Sequence, residues 1–336
     1  MLVRRIIHVL AGCFIMLQSN GQDLHYADVQ SMNLWYNQSL KLNKQKDVRF
    51  NFRDIKYQSL LAFRNASIMV NVPFVKKSAE GFEKKSYVSA TAAGSFDKSN
   101  KGVFKNNTGM LGVSFSQRLS ANDLYLSLGF QGTHTSTRLG ELGGSFFPDQ
   151  FDQFGPIPSV SRDPLRAGRS YGWTSINSGL SVFQNTQSLE WYAGASIRHL
   201  NRPYTDEQKT KELRLKPTLG VQAGFTVKNE LNQFGLYGLT NWKAEAAEYL
   251  IGARIQHSLD EPSNDYEGSS IGIGFAFRVR DAVIPNLQLK LNKTTIGIHY
   301  DINISGLRAA GPSGLGLTTT MVFGLIQPFT FFTDKA

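Results

Sequence analysis

The chain reads as an all-β, transmembrane antiparallel β-barrel of about 14 strands, with short periplasmic turns and longer extracellular loops. Three observations predict this. The first is alternation. In Ser269 to Arg280, the residues Ile271, Ile273, Phe275, Phe277 and Val279 share one parity, and Gly272, Gly274, Ala276, Arg278 and Arg280 share the other. Successive strand side chains point to opposite faces, so one face here is continuously apolar and the other small or cationic. The second is length: similar segments recur at close to the ~9 to 11 residues a tilted strand needs to cross a bilayer. The third is the lack of any apolar run near the roughly 20 residues of a spanning helix. Only helices and closed barrels satisfy every backbone polar group in lipid.

The N-terminus predicts export. Met1 to Arg5 is short and basic, Ile6 to Leu17 is apolar, and Gln18 to Gly21 is polar with small residues. This is the layout of a secretory signal peptide. Residues 1–21 are therefore expected to be cleaved, leaving 22–332 as an outer-membrane barrel with an N-terminal segment at 22–47. Leu10-Ala11-Gly12-Cys13 resembles a lipobox, but the apolar run continues through Phe14 to Leu17, so Cys13 is expected to leave with the leader. The remaining chain then has no cysteine, hence neither disulfides nor thiolate metal sites to hold it.

Formal net charge is +10, and loss of Arg4 and Arg5 leaves +8. The lysines and arginines are scattered and the chain is exported, so nucleic acid is not an expected partner. Charged residues make up only 18%, against 31 Gly and 23 Phe, which suits alternating strands with interfacial aromatic girdles.

Period-two alternation places strands at Val48–Asp54, Ala66–Pro73, Tyr87–Phe96, 111–115 and 124–130, the last two joined by the hairpin turn Ser120-Ala121-Asn122-Asp123. Gly172–Phe183, Leu189–His199, Thr218–Val227, Gln233–Asn241 and Tyr249–His257 follow, then Ser269–Arg280, Asn286–Asn292, Thr294–Ile302 and Leu315–Leu325. Leu139 to Arg169, Asn201 to Lys216 and Ser258 to Gly268 are long and polar, and long loops of such barrels normally face outward. No change of composition marks a second domain.

Catalysis, cofactor binding and metal binding find no support. Gly168-Arg169-Ser170-Tyr171-Gly172 matches a nucleophile-elbow pentad, but that motif must turn from a strand into a helix, and here a loop precedes and a strand follows. His25, His134, His199, His257 and His299 are far apart in sequence. Ile271-Gly272-Ile273-Gly274 lies within a strand rather than opening a helix, and neither Gln153-Phe154-Gly155 nor Ser263-Asn264-Asp265 has calcium-loop spacing. The inward charges carry more weight. Arg198, Arg254, Arg278, Arg280 and Asp301 fall on the polar parity, because an arginine facing lipid at midplane costs about 2–4 kcal/mol. They form either an anion-selective or binding lumen or, the favoured reading, an ionic network filling a largely plugged interior.

Three motifs occur in order: His199-Leu200-Asn201-Arg202-Pro203, Asp281-Ala282-Val283-Ile284-Pro285 after Arg278-Val279-Arg280, and Tyr300-Asp301-Ile302-Asn303-Ile304-Ser305-Gly306-Leu307. Through His199, Asn201, Pro203, Asp281, Pro285, Tyr300, Asp301, Asn303 and Ser305 the chain resembles the PorP/SprF family of outer-membrane proteins of the Bacteroidetes type IX secretion system. It departs from the family near its start, where Tyr36-Asn37-Gln38-Ser39-Leu40 stands in place of an Asn-Pro-Ala-x-x-Gly element. The resemblance implies a barrel in the bacterial outer membrane that serves protein secretion, gliding motility or adhesin attachment. The implied partners are other secretion components, the C-terminal domain of a secreted adhesin and a peptidoglycan-binding periplasmic lipoprotein. The motif residues themselves are expected to be structural, with Pro203 and Pro285 ending or beginning strands and Asp281 and Asn303 making turn or lumen hydrogen bonds. The alternative is a diffusion channel or transporter whose basic lumen favours anions.

Overall fold

The computed structural model describes residues 26–57, 61–75, 86–99, 104–120, 122–139, 150–152, 155–156, 169–205, 209, 211, 214–244, 246–260, 268–304 and 315–323. A one-turn helix, α1 (Asn33–Tyr36), precedes β1 (Asp47–Tyr57), β2 (Leu61–Phe74), β3 (Ser86–Ser99), β4 (Phe104–Arg118) and β5 (Leu124–Leu139). A two-residue pair, β6 (Phe151–Asp152) and β7 (Gly155–Pro156), forms its own small sheet. Then come β8 (Arg169–Asn185), β9 (Leu189–Arg198), β10 (Thr218–Lys228), β11 (Asn232–Lys243), β12 (Ala246–Ser258), β13 (Ser269–Arg278), β14 (Ala282–Leu291), β15 (Thr294–Asn303) and β16 (Leu315–Phe323). Every strand except β6 and β7 joins one antiparallel sheet, which β16 closes on β1 through a register running from Val48↔Phe323 to Ile55↔Gly316. Closure removes the unpaired edges a bilayer would not tolerate. No helix among the described residues is long and apolar enough to cross a membrane.

Alternation sets the two faces. On β13, Ile271, Ile273 and Phe275 point outward, Ile273 being 67% exposed, whereas Gly272, Gly274 and Ala276 point inward and are buried. On β4 and β10 the outward residues are Leu111, Val113 and Phe115, then Leu219, Val221 and Phe225. An apolar exterior and a Ser-, Asn- and Gln-rich interior are what a lipid-facing barrel requires. Amphipathic aromatics stand outward at both rims. Trp191 Nε1 donates to Gln184 Oε1 at 2.8 Å at one end, and Trp242 Nε1 donates to the Tyr249 hydroxyl at 3.2 Å at the other.

We call the end at which β1 starts the near end. Connections 140–168, 199–217 and 304–314 cluster at the opposite, far end. The third long polar connection expected from the sequence, Ser258 to Gly268, instead links β12 to β13 at the near end, as 75–85 links β2 to β3. The asymmetry is therefore partial: strand parity assigns each connection to an end, and loop length does not. Tight turns follow local chemistry. The Asn229 side chain accepts from the Leu231 backbone N–H at 3.2 Å and the Asn232 N–H at 2.5 Å, and Asn292, which tolerates positive φ, takes φ 53° between β14 and β15.

Most strands run past the limits read from the sequence, β4 starting at Phe104 rather than 111 and β5 ending at Leu139 rather than 130, and at the second motif two limits shift for a local reason. β13 stops at Arg278, because Asp281 N–H donates to the Arg278 carbonyl at 3.1 Å and Arg280 takes φ 62°, making Val279–Asp281 a turn. β14 starts at Ala282, so Pro285 does not begin it but sits inside it. The β14–β15 register skips Ile284 and Pro285, so the missing proline N–H falls where that ladder is interrupted.

Candidate functional site

The lumen is occupied by the chain's own N-terminal segment. Tyr26 to Lys41, including α1, is almost wholly buried, and the strands around it supply both an apolar seat and polar anchors. The seat forms where the inward parity turns apolar: Met69 of β2, Met110 of β4, Leu239 of β11, Leu250 of β12 and Ile284 of β14 pack against Tyr26, Met32, Leu34, Trp35 and Leu40. Burying each such side chain contributes about 1.5–3 kcal/mol, so the segment has reason to stay inside.

Asn37, Gln38 and Ser39 form the most tightly enclosed part. Asn37 Nδ2 donates to the Ala195 carbonyl at 3.3 Å and to Gln222 Oε1 at 3.1 Å, while its Oδ1 accepts from Ser39 N–H at 3.0 Å. Gln38 Nε2 donates to Thr91 Oγ1 at 2.8 Å, and Ser181 Oγ donates to the Ser39 carbonyl at 2.8 Å. The wall opposite is stripped of side chains to admit them. A Cβ on Gly129 would lie 2.5 Å from the Ser39 backbone nitrogen, one on Gly194 would lie 2.9 Å from Asn37 Nδ2, and one on Gly179 would strike Asn37 Oδ1. Asn37, Gln38 and Ser39 are thus the piece for which the barrel wall is hollowed.

Charges pin the segment at three levels. In the middle, Asp28 meets Arg254 at 3.8 Å and His299 Nε2 at 3.5 Å, and it also accepts from the Ser31 hydroxyl. Burial alone would raise the Asp28 pKa, but His299, Arg254 and Ser31 outweigh it and hold the carboxyl well below the usual carboxylate range. Toward the far end, Arg278 lies 3.2 Å from Glu248 and 2.9 Å from Asp281, and its Nη2 donates to the Tyr26 carbonyl at 3.1 Å. Arg198 stacks 5.8 Å from the Tyr36 ring centroid, and Asp301 is held by Arg53, whose Nε donates at 2.9 Å. Burial pushes the Tyr36 phenol up to about 12, so its hydroxyl stays protonated while accepting from Tyr26 N–H at 3.1 Å. At the near end, Lys41 Nζ donates to Asp47 at 2.5 Å and Arg49 Nη1 donates to the Ser31 carbonyl at 2.6 Å. Burial drops the Lys41 pKa to about 8, against the pull of Asp47.

Of the inward charges read from the sequence, Arg198, Arg278 and Asp301 lie in the far half of the lumen, Arg254 lies in the middle on Asp28, and Arg280 is exposed in the turn at the rim. The motif residues shape the far rim. His199 N–H donates to Asn177 Oδ1 at 2.9 Å, Leu200 N–H donates to the Ile176 carbonyl at 2.9 Å, and Asn201 takes the Ile176 N–H at 3.1 Å while donating to the Thr174 carbonyl at 2.8 Å. β8 pairs with β9 only from Ser178 onward, so these residues satisfy the edge of β8 that projects beyond its neighbour. Pro203 lies past β9, where its carbonyl accepts from Leu215 N–H at 2.9 Å, and the Asp281 carbonyl accepts from Ile304 N–H at 2.8 Å. Tyr300 and Asn303 lie on β15, Asn303 buried, and Ser305 falls outside the described residues, as do His25, residues 1–21 and Ser263-Asn264-Asp265.

Other candidate groups are dispersed. Ser170 is exposed within β8, paired across to Arg138, and His134 and His257 point outward. Among the described residues, no cluster of His, Cys, Asp or Glu could hold a metal ion. The sequence reading missed the lumen segment, together with Arg53 and Glu248. Two signals point to it: inward glycines at Gly112, Gly129, Gly179 and Gly194, and apolar residues at inward positions such as Leu239, Leu250 and Ile284.

Comparison with known proteins gives the following similarities. The toluene transporter TbuX of Ralstonia pickettii is 8% identical, with 88% of this chain and 94% of that one covered at a TM-score of 0.48. The translocator domain of autotransporter NalP from Neisseria meningitidis is 10% identical over 88% of this chain and 95% of that one, at a TM-score of 0.39. The β domain of the Bordetella autotransporter BrkA is 9% identical over 83% and 98%, at 0.41. Among curated proteins none matches. The family model of the type IX secretion system membrane protein PorP/SprF matches residues 20–315, and the chain therefore belongs to that family, as a β-barrel of the bacterial outer membrane.

Proposed function

We propose that this barrel is a non-enzymatic docking component of type IX secretion, supporting export or surface anchoring of adhesin-type cargo by binding other envelope proteins rather than by passing solute. The observation that carries this reading is the filled lumen: Tyr26 to Lys41 occupies the space a channel would need. A wall carved to fit an internal segment is suited to rigidity, and a rigid barrel presents its rims and loops to partners. The partners are other type IX components, the C-terminal domain of a secreted adhesin, and a peptidoglycan-binding periplasmic lipoprotein. The leader at residues 1–21 delivers the chain for export.

Gentle-detergent pull-down from the native envelope tests the proposal. Recovery of an adhesin C-terminal region or a secretion-machine lipoprotein with the barrel is expected. Repeated recovery of the barrel alone at high yield would overturn it. The alternative, an anion-favouring channel, draws on the basic lining of the near half of the lumen, and conductance separates the two readings.

A further inference from the structure

The outer wall carries a row of cations that neither the lumen nor the strand pattern requires. Arg64 of β2, Lys98 of β3, Lys105 of β4 and Arg138 of β5 lie on the outward parity of their strands and are exposed. They are direct cross-strand partners in turn: Arg64↔Lys98, Lys98↔Lys105 and Lys105↔Arg138. Neighbouring strands lie about 4.8 Å apart, so the row crosses roughly 14 Å of wall. Like charges directly opposite one another destabilise a sheet, and here three such pairs follow without a break. Among the described residues one carboxylate meets the row, Asp54 of β1, 3.0 Å from Arg64 at its edge. Four cations against one carboxylate leave a surplus of three positive charges.

The row stands where the apolar band of the wall ends. Toward the membrane, the next outward tier on the same four strands is Ala66, Phe96, Asn107 and Ser136, with Phe96 fully presented to the outside. Beneath that tier the wall is recessed into a groove of about 650 Å³, floored by Ala92, Gly94, Gly109 and Gly132 and flanked by Ile68 and Leu111. Gly94 and Gly109 are direct partners, and a Cβ on Gly109 or Gly132 would meet nothing within 4 Å. A hydrocarbon chain suits the groove. Phosphates suit the row above it, since arginine forks and lysine ammoniums are strong partners for phosphate oxygens. The row lies at the far end, as does 140–168, the longest connection, and long connections of such barrels face outward. The leaflet that meets the row is therefore the outer one.

We infer that this outer face of β2 to β5 is a binding site for a phosphate-bearing lipid of the outer leaflet, its phosphates on Arg64, Lys98, Lys105 and Arg138 and an acyl chain in the groove below. The bound anion relieves the repulsion that the row builds into the sheet, so the lipid steadies the far ends of these four strands.

The test uses the full-length barrel in detergent, followed by native mass spectrometry and thermal unfolding. The probes are diphosphoryl lipid A, a phosphate-free glycolipid of matched chain length, inorganic phosphate and an oligo-glutamate peptide. Diphosphoryl lipid A should stay bound and raise the unfolding temperature, as a ligand of the folded state does, and the phosphate-free glycolipid should do neither. K98E/K105E should weaken its binding at least about tenfold and K98Q/K105Q by less, with heat-shifted gel mobility confirming a folded barrel in each. G109L/G132L fills the groove where a Cβ has room, and should also weaken binding of the lipid. Equal binding of the two lipids, indifference to both lysine variants, or indifference to the filled groove would overturn the inference. Displacement of the lipid by inorganic phosphate or by oligo-glutamate at matched charge would overturn it too, the first marking a free-anion site and the second a surface for acidic protein.

Discussion

Single residues decide whether the N-terminal segment fits. Gly129 faces the Ser39 backbone, which cannot rotate away as a side chain could, so Gly129→Val forces the segment outward. Overpacking of this kind costs about 1–3 kcal/mol, and the expected outcome is a lower unfolding temperature in detergent with faster proteolysis of residues 26–41. Arg278 is buried with three partners, Glu248, Asp281 and the Tyr26 carbonyl. Arg278→Ala strands those groups, and removing one member of a buried ionic network costs about 3–5 kcal/mol, measurable as a shift in urea unfolding. Asp28 supplies a pH dependence. Its carboxyl is held below the ordinary range, so its contribution is present above a pH of about 4 and is lost as pH falls further through the folded-state value. Protection of residues 26–41, taken as exchange relative to the intrinsic rate at each pH, should therefore hold from neutral pH to about pH 4 and fall below it, and an Asp28→Asn variant should lose most of that dependence.

At the scale of elements, most strands were legible because their two solvents differ so sharply. Lipid outside and a polar lumen inside impose a strict period of two, and Leu219, Val221, Ala223 and Phe225 of β10 show it from sequence alone. What was not legible lay where that contrast fails. The buried N-terminal segment has no periodicity, since irregular chain wrapped on every side has no single face to mark. Its seat appeared only as apolar exceptions, Leu239, Leu250 and Ile284, scattered over β11, β12 and β14. The motif at 199–203 was legible as a strand end, but its work, closing the edge of β8, depends on how far β8 outruns β9. Asn201→Ala should therefore cost about 0.5–1.5 kcal/mol and speed amide exchange at Ile176, with little effect on the near half of the barrel.

At the scale of the whole molecule, a closed barrel satisfies the membrane and an internal segment satisfies the barrel. An empty lumen of this width would hold water and conduct, and membership of the type IX PorP/SprF family says nothing by itself about conduction. The filled lumen is the observation on which the docking proposal rests. The direct measurement is conductance in planar bilayers, comparing the intact protein with a variant lacking residues 26–41. The intact barrel is expected to give no stable conductance, and the truncated one open, steady channels. Stable, anion-selective conductance from the intact protein would contradict it.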